Sequence, residues 1–107
     1  MSRIKVKKSP EMDALFQAIL ALRDVEECYT FFSDLLTVQE ARVIAQRMQV
    51  AAMLAQGQTY ESIRARVPVS SSTITRINTE LRYGSGGYGM VLERLCLQCA
   101  EAIPPEE

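Results

Sequence analysis

The chain has 107 residues, 48% of them hydrophobic, with a formal charge of −1 and no histidine or tryptophan. That length fits one small domain whose own core is modest and which gains from oligomerising. The composition excludes disorder, no apolar run reaches the ~20 residues that span a membrane, and the basic start "MSRIKVKK" lacks the apolar stretch of a secretory signal. A cytoplasmic protein with no membrane partner is expected.

The charge is unevenly distributed. Residues 1–8 carry +4 and form a basic arm. Residues 9–41 carry −6. Residues 42–82 carry six arginines against Glu61 and Glu80, a surplus of +4, and residues 83–107 carry −3. An acidic total therefore coexists with a basic central segment, and nucleic acid responds to the local charge.

In chain order every long segment reads as helix, which predicts an all-α fold of six helices. Ser9-Pro10-Glu11 is a helix start, with a capping hydroxyl, proline at the first position and an acid in the first turn. Asp24 with Glu27 opens a second helix. Thr37 with Glu40 is a capping box for a long third helix that ends near Gln56, before Gly57. Ala41, Ile44, Ala45, Met48 and Ala52 make one apolar face of that helix; Val43, Val50 and Leu54 make another. Arg42, Gln46, Gln49, Met53 and Gln56 are left as the mostly polar stripe. A helix apolar around most of its circumference is buried on several sides, and a homodimer with interleaved helices would cover it. Residues 9–56 are thus expected to be dimerisation helices.

Residues 59–83 have the layout of a helix-turn-helix. Thr59 starts a short helix, Pro68 ends it, and a second helix begins at Ser70 or Ser71 and runs to Tyr83. Ile63, Val67, Val69, Ile74, Ile77 and Leu81 point to a shared core. Ser71, Ser72, Thr75, Asn78, Thr79 and Arg82 remain on the outer face. A second helix laid in the major groove presents its N-terminal residues to base edges, whose donors and acceptors hydroxyls can match. The expected DNA-binding residues are Arg64, Arg66, Ser71, Ser72, Thr73, Thr75, Arg76 and Thr79. Arg64, Arg66 and Arg76 would serve the phosphate backbone of double-stranded operator DNA. Residues 84–89, "GSGGYG", form a glycine-rich connector. A C-terminal dimerisation helix over 90–102 and a charged tail, 103–107, complete the chain.

Cys28, Cys96 and Cys99 are an odd cysteine count, which argues for free thiols. Cys96 and Cys99 read as small apolar residues on one helix face, because a chain without histidine has few further metal ligands to offer. The absence of histidine and of any paired-carboxylate pattern argues against an enzyme. The rival to DNA binding is a helical, dimeric protein-interaction module. Such a face would carry aromatic or aliphatic anchors, which the outer face of the second helix lacks.

The segment "LLTVQEARVIAQRMQVAAMLAQGQTYESIRARVPVSSSTITRINTEL" resembles the tryptophan repressor over residues 35–81. Its flanks, "MDALFQAILALRDVEECYTFFSDLLT" and "LRYGSGGY", resemble the tryptophan-repressor-like proteins of the YerC/YecD type. The resemblance implies an intertwined homodimer with a helix-turn-helix on each protomer, acting as a transcriptional repressor. It also implies an amino-acid effector site, at which Thr37, Arg47, Thr73 and Arg76 match ligand-contacting positions. Ile77 and Glu80 depart from the repressor's small glycine and serine. The expectation is that Glu80 pairs with Arg47 or Arg76 while Ile77 fills apolar space, so that no cofactor is required. L-Tryptophan or a different amino-acid corepressor is the alternative. Arg47, in the stripe Val43, Arg47, Val50 and Leu54, needs a partner or must reach water.

Overall fold

The helix starts legible in the sequence are built as hydrogen-bonded caps in the computed structural model, which describes residues 4–99 with side chains through Cys96. The helices are α1 (Pro10–Leu20), α2 (Val25–Leu35), α3 (Val38–Ala55), α4 (Tyr60–Arg66), α5 (Ser71–Tyr83) and α6 (Gly87–Cys99). No strand occurs among the described residues. Residues 1–3 of the basic arm, residues 100–102 at the expected end of the last helix, the tail 103–107 and the Cys99 side chain lie outside the described residues.

Ser9 Oγ accepts from Met12 N–H at 3.1 Å and Asp24 Oδ1 from Glu27 N–H at 2.9 Å, each satisfying a donor with no intrahelical partner. The Thr37–Glu40 box is reciprocal. Thr37 Oγ1 accepts from Glu40 N–H at 3.0 Å, and Glu40 Oε1 accepts from Thr37 N–H at 2.9 Å. At the other end of α3, Gly57 has φ +85°. Its N–H donates to Leu54 O at 3.0 Å, and Gln58 N–H donates to Met53 O at 3.1 Å. That pair of bonds is a Schellman motif, and its left-handed residue is the reason for a glycine there.

The chain divides into two units, Ile4–Ala45 and one that begins at Gln46, with α3 running through the boundary. The first unit has no fully buried side chain. Phe16, Leu20, Tyr29, Val38 and Ile44 are all exposed, Leu20 to 77%. The second unit holds the core: Val50, Ala51, Met53 and Leu54 from α3, Ile63 from α4, Val67 after it, and Ile74 and Ile77 from α5. Tyr60, Val69, Leu81 and Tyr88 pack against it, partly buried.

Two expectations need correction. Met53 belongs to the core, 5% exposed, and not to the polar stripe of α3. It is flanked on α3 by buried Val50, Ala51 and Leu54, so the core takes in a wider sector of the helix than the periodicity suggested. The last helix begins at Gly87, three residues before the expected Met90, so the connector shortens to residues 84–86. Gly86, at φ +95°, makes the turn, while Gly87 and Gly89 are accommodated within the first helical turn.

Gly84 closes α5, donating its N–H to Glu80 O at 2.9 Å. A Cβ added there would collide with that same carbonyl oxygen and lie 2.8 Å from Glu80 Oε1. Gly84→Ala should therefore destabilise the fold by about 1–3 kcal/mol. Gly89→Ala, where nothing lies within 4 Å of the added carbon, should be neutral or stabilising by up to about 1 kcal/mol. Denaturant midpoints of the two variants check the pair.

Candidate nucleic-acid interface

The site is built on the α4–turn–α5 unit. Thr59 Oγ1 caps α4 by accepting from Ser62 N–H at 3.1 Å. Val67 N–H bonds Ile63 O at 2.8 Å, and Val67 then leaves the helix at φ −127°, ψ 129°, the extended geometry that a following proline favours. Across Pro68, Val69 N–H donates to Val67 O at 2.8 Å. This is a three-residue turn whose central φ suits the proline ring, so Pro68 performs the tight reversal for which glycine is common.

Five hydroxyls crowd the start of α5, and the geometry divides their work. Ser70 is the N-cap: its Oγ accepts from Thr73 N–H at 3.1 Å and donates to Thr73 Oγ1 at 3.0 Å. Ser72 Oγ lies 3.0 Å from Ser70 Oγ. Thr79 Oγ1 donates back to Thr75 O at 3.0 Å, the usual helix back-bond of threonine. Among the described residues the side-chain hydroxyls of Ser71 and Thr75 make no hydrogen bond, and both are exposed. They are the hydroxyls whose donors and acceptors remain available.

Ile74 and Ile77 are buried in the core, which fixes the opposite face of α5 outward. On that side Ser71, Ser72, Thr75, Arg76 and Thr79 are exposed, with Thr73 half-buried. Arg64 and Arg66 are exposed on α4. Arg64, Arg76 and Arg82 make no ion pair among the described residues, so their charge is not cancelled within this unit. The exposed large apolar side chain of α5 is Tyr83, its last residue, 68% exposed. One arrangement absent from the expected DNA-binding set is Arg82, whose Nε donates to Asn78 Oδ1 at 3.2 Å. Its signal in the sequence is the four-residue spacing on the outer face.

The residues of the implied effector site are less coherent. Thr37 lies in the other unit, with its hydroxyl used in the α3 cap. Thr73 is bonded to Ser70, and Ile77 is 3% exposed within the core. Arg47 is exposed, so it meets its need for a polar environment by reaching solvent. The expected pair of Glu80 with Arg47 or Arg76 does not form: neither arginine makes an ion pair among the described residues. The Glu80 carboxylate instead folds over the C-terminal end of α5 toward Gly84. There it lines a cleft of about 440 Å³ with Met48, Tyr88, Met90 and Val91.

No group of three His, Cys, Asp or Glu side chains that could hold a metal occurs among the described residues. Cys28 is half-buried and Cys96 exposed, both as free thiols. No described helix is long and apolar enough to cross a membrane.

A six-helix, all-α chain with a capped helix–turn–helix pair on a small shared core is the class these features define. Residues 10–96 match the Trp repressor protein family, and the chain belongs to it. The family is one of regulators and not of enzymes. The chain is 46% identical over 88 residues to the uncharacterised protein YerC of Bacillus subtilis, covering 82% of this chain and 85% of that one. Among solved structures, a TrpR-like protein from Eubacterium eligens shares 44% identity at a TM-score of 0.80, over 82% of this chain and 91% of that one. A Staphylococcus aureus protein described as a candidate Trp repressor shares 44% identity at 0.79, over 82% and 88%.

The division of the hydroxyls gives a direct expectation. Ser70→Ala should cost about 1 kcal/mol by removing the cap. Ser71→Ala should stay within about 0.5 kcal/mol of the parent, since its hydroxyl supports nothing in the fold. Equilibrium unfolding of both variants separates capping from display.

Proposed function

We propose that the protein is a sequence-specific DNA-binding transcriptional regulator, a repressor that acts as a homodimer and inserts α5 into the major groove of operator DNA. The observation that carries the reading is the outer face of α5: unspent hydroxyls at Ser71 and Thr75, with Arg64 and Arg76 making no ion pair among the described residues, over an inner face buried through Ile74 and Ile77. Thr75 and Ser71 read base edges; Arg64, Arg66 and Arg76 hold phosphates, with Ser72, Thr73 and Thr79 alongside. A protein-docking surface would carry apolar anchors at its centre, and Tyr83 lies about a third of a turn away from the line of Ser71.

The homodimer is supported by the apolar side chains left in solvent. Phe16, Leu20, Tyr29, Ile44, Met90, Val91 and Leu95 are exposed on helices from both units. Burying one such side chain gains roughly 1.5–3 kcal/mol, and a second copy of the same helices offers matching apolar faces. Effector independence is supported by Ile77, which occupies core space with the chain's own atoms.

Three outcomes test the reading. Thr75→Ala should relax the sequence preference recovered from random duplex DNA, whereas Arg66→Ala should weaken binding to all sequences and flatten the salt dependence by about 0.9 per lost phosphate contact. A change of preferred sequence in Arg66→Ala overturns the division of roles. Calorimetric titration with L-tryptophan should give no binding and no gain in DNA affinity; micromolar binding with a matching gain overturns effector independence. Ile44→Glu should shift the sedimentation equilibrium toward monomer, and an unchanged dimer would place the interface elsewhere.

A further inference from the structure

The outer face of α5 carries one arginine that the assignment above leaves without a role. Arg82 lies eleven residues after Ser71, which places it about 16 Å further along the helix axis and within about 20° of the same line. Asn78, seven residues after Ser71, falls within about 20° of that line on its other side. Asn78 is half-buried and Arg82 exposed, and Arg82 Nε donates to Asn78 Oδ1 at 3.2 Å. That bond uses one of the five guanidinium N–H groups and leaves the four on Nη1 and Nη2 as an open fork. The fork matches two oxygens of a phosphate.

No ion pair engages Arg82 among the described residues. Glu80, two residues earlier, points about 200° away around the helix, and its carboxylate folds toward Gly84. The positive charge at the end of α5 is therefore both held in place and left uncancelled. The major groove is about 12 Å wide. With the N-terminal hydroxyls of α5 at base edges, a side chain about 16 Å further along the axis meets the phosphate backbone at the groove wall.

We propose that Arg82 is a phosphate contact at the C-terminal end of α5, and that Asn78 is the positioning residue that holds its guanidinium ready. The inference rests on the DNA-binding reading. It adds a second anchoring point to the recognition helix, so that the helix is fixed at both ends: bases and the cap region at the start, backbone at the finish. Asn78 acts through Arg82 and reads no base.

The test is DNA binding by the full chain, measured by fluorescence anisotropy in a salt series on random-sequence duplex DNA and on the sequence it selects from that pool. Arg82→Ala should weaken binding to both by roughly tenfold and flatten the salt slope by about 0.9 per contact, with the selected sequence unchanged. Asn78→Ala should give a smaller loss in the parent and no further loss in the Arg82→Ala background. Arg82→Lys, which keeps the charge without the fork, should restore the salt slope but only part of the affinity. An unaltered slope in Arg82→Ala, or a shifted sequence preference, overturns the phosphate role. An equal loss from Asn78→Ala in both backgrounds overturns the positioning role. Absence of any salt-dependent binding by the parent overturns the DNA reading itself, and this inference with it.

Discussion

The burial of Ile74 and Ile77 against Val50, Leu54, Ile63 and Val67 is the contact on which the rest of the molecule depends. Those two isoleucines stand three residues apart on α5, so locking them inward determines the azimuth of every other side chain on that helix. The hydroxyls and arginines do not need to be held individually. Their display follows from the apolar side, and the Arg82 guanidinium is further steadied by Asn78 on the face itself. A face organised this way tolerates substitution outward while remaining strict inward.

The same core sets a limit. Among the described residues its eight buried side chains all lie from Val50 to Ile77. They cover the C-terminal half of α3 and leave α1, α2 and the start of α3 with no fully buried residue. Well-formed caps hold those helices as local structure, since each cap satisfies donors that would otherwise face water or nothing. Capping does not remove apolar surface from solvent, and a helix of 11 residues is marginal in water without packing. The caps and the exposed apolar faces therefore belong together: one specifies where each helix begins, the other requires a further surface for it to rest on.

Most of this was legible in the sequence. Ser9, Asp24, Thr37, Thr59 and Ser70 announced five helix starts because a cap is a local interaction, encoded within four residues. The inward positions of α4 and α5 were legible because their periodicity is clear and each has one apolar face. What escaped was set by tertiary context. Met53 read as part of a polar stripe because its neighbours on that stripe are glutamines and an arginine, yet it is buried in the core with Val50, Ala51 and Leu54. Gly87 and Gly89 read as connector because glycine weakens helices in isolation; the packing of Tyr88 against the core holds them in one. Glu80 illustrates a third kind of miss. Its charge suggested an arginine partner one turn away, but its carboxylate lies toward Gly84, where an added side chain would meet it, and no helical spacing encodes that approach.

Charge follows the same division between local and global. The total of −1 would argue against a polyanionic partner if the protein were a uniform sphere. Fields at a surface fall off within roughly 8–10 Å at ordinary ionic strength, so a groove senses the helix that enters it and little beyond. On α4 and α5 the arginines outnumber the acids, and one of those acids, Glu80, has its carboxylate turned toward Gly84 and away from the Ser71–Arg82 line. The acids of the first unit sit chiefly at helix starts, Glu11 and Asp13 on α1, Glu26 and Glu27 on α2, Glu40 on α3, where they complement the helix dipoles. Segregation of this kind lets one chain keep its net charge near neutral while offering a positive face. Two copies would present that face twice, and the electrostatic attraction to a duplex would then scale with the faces and not with the sum.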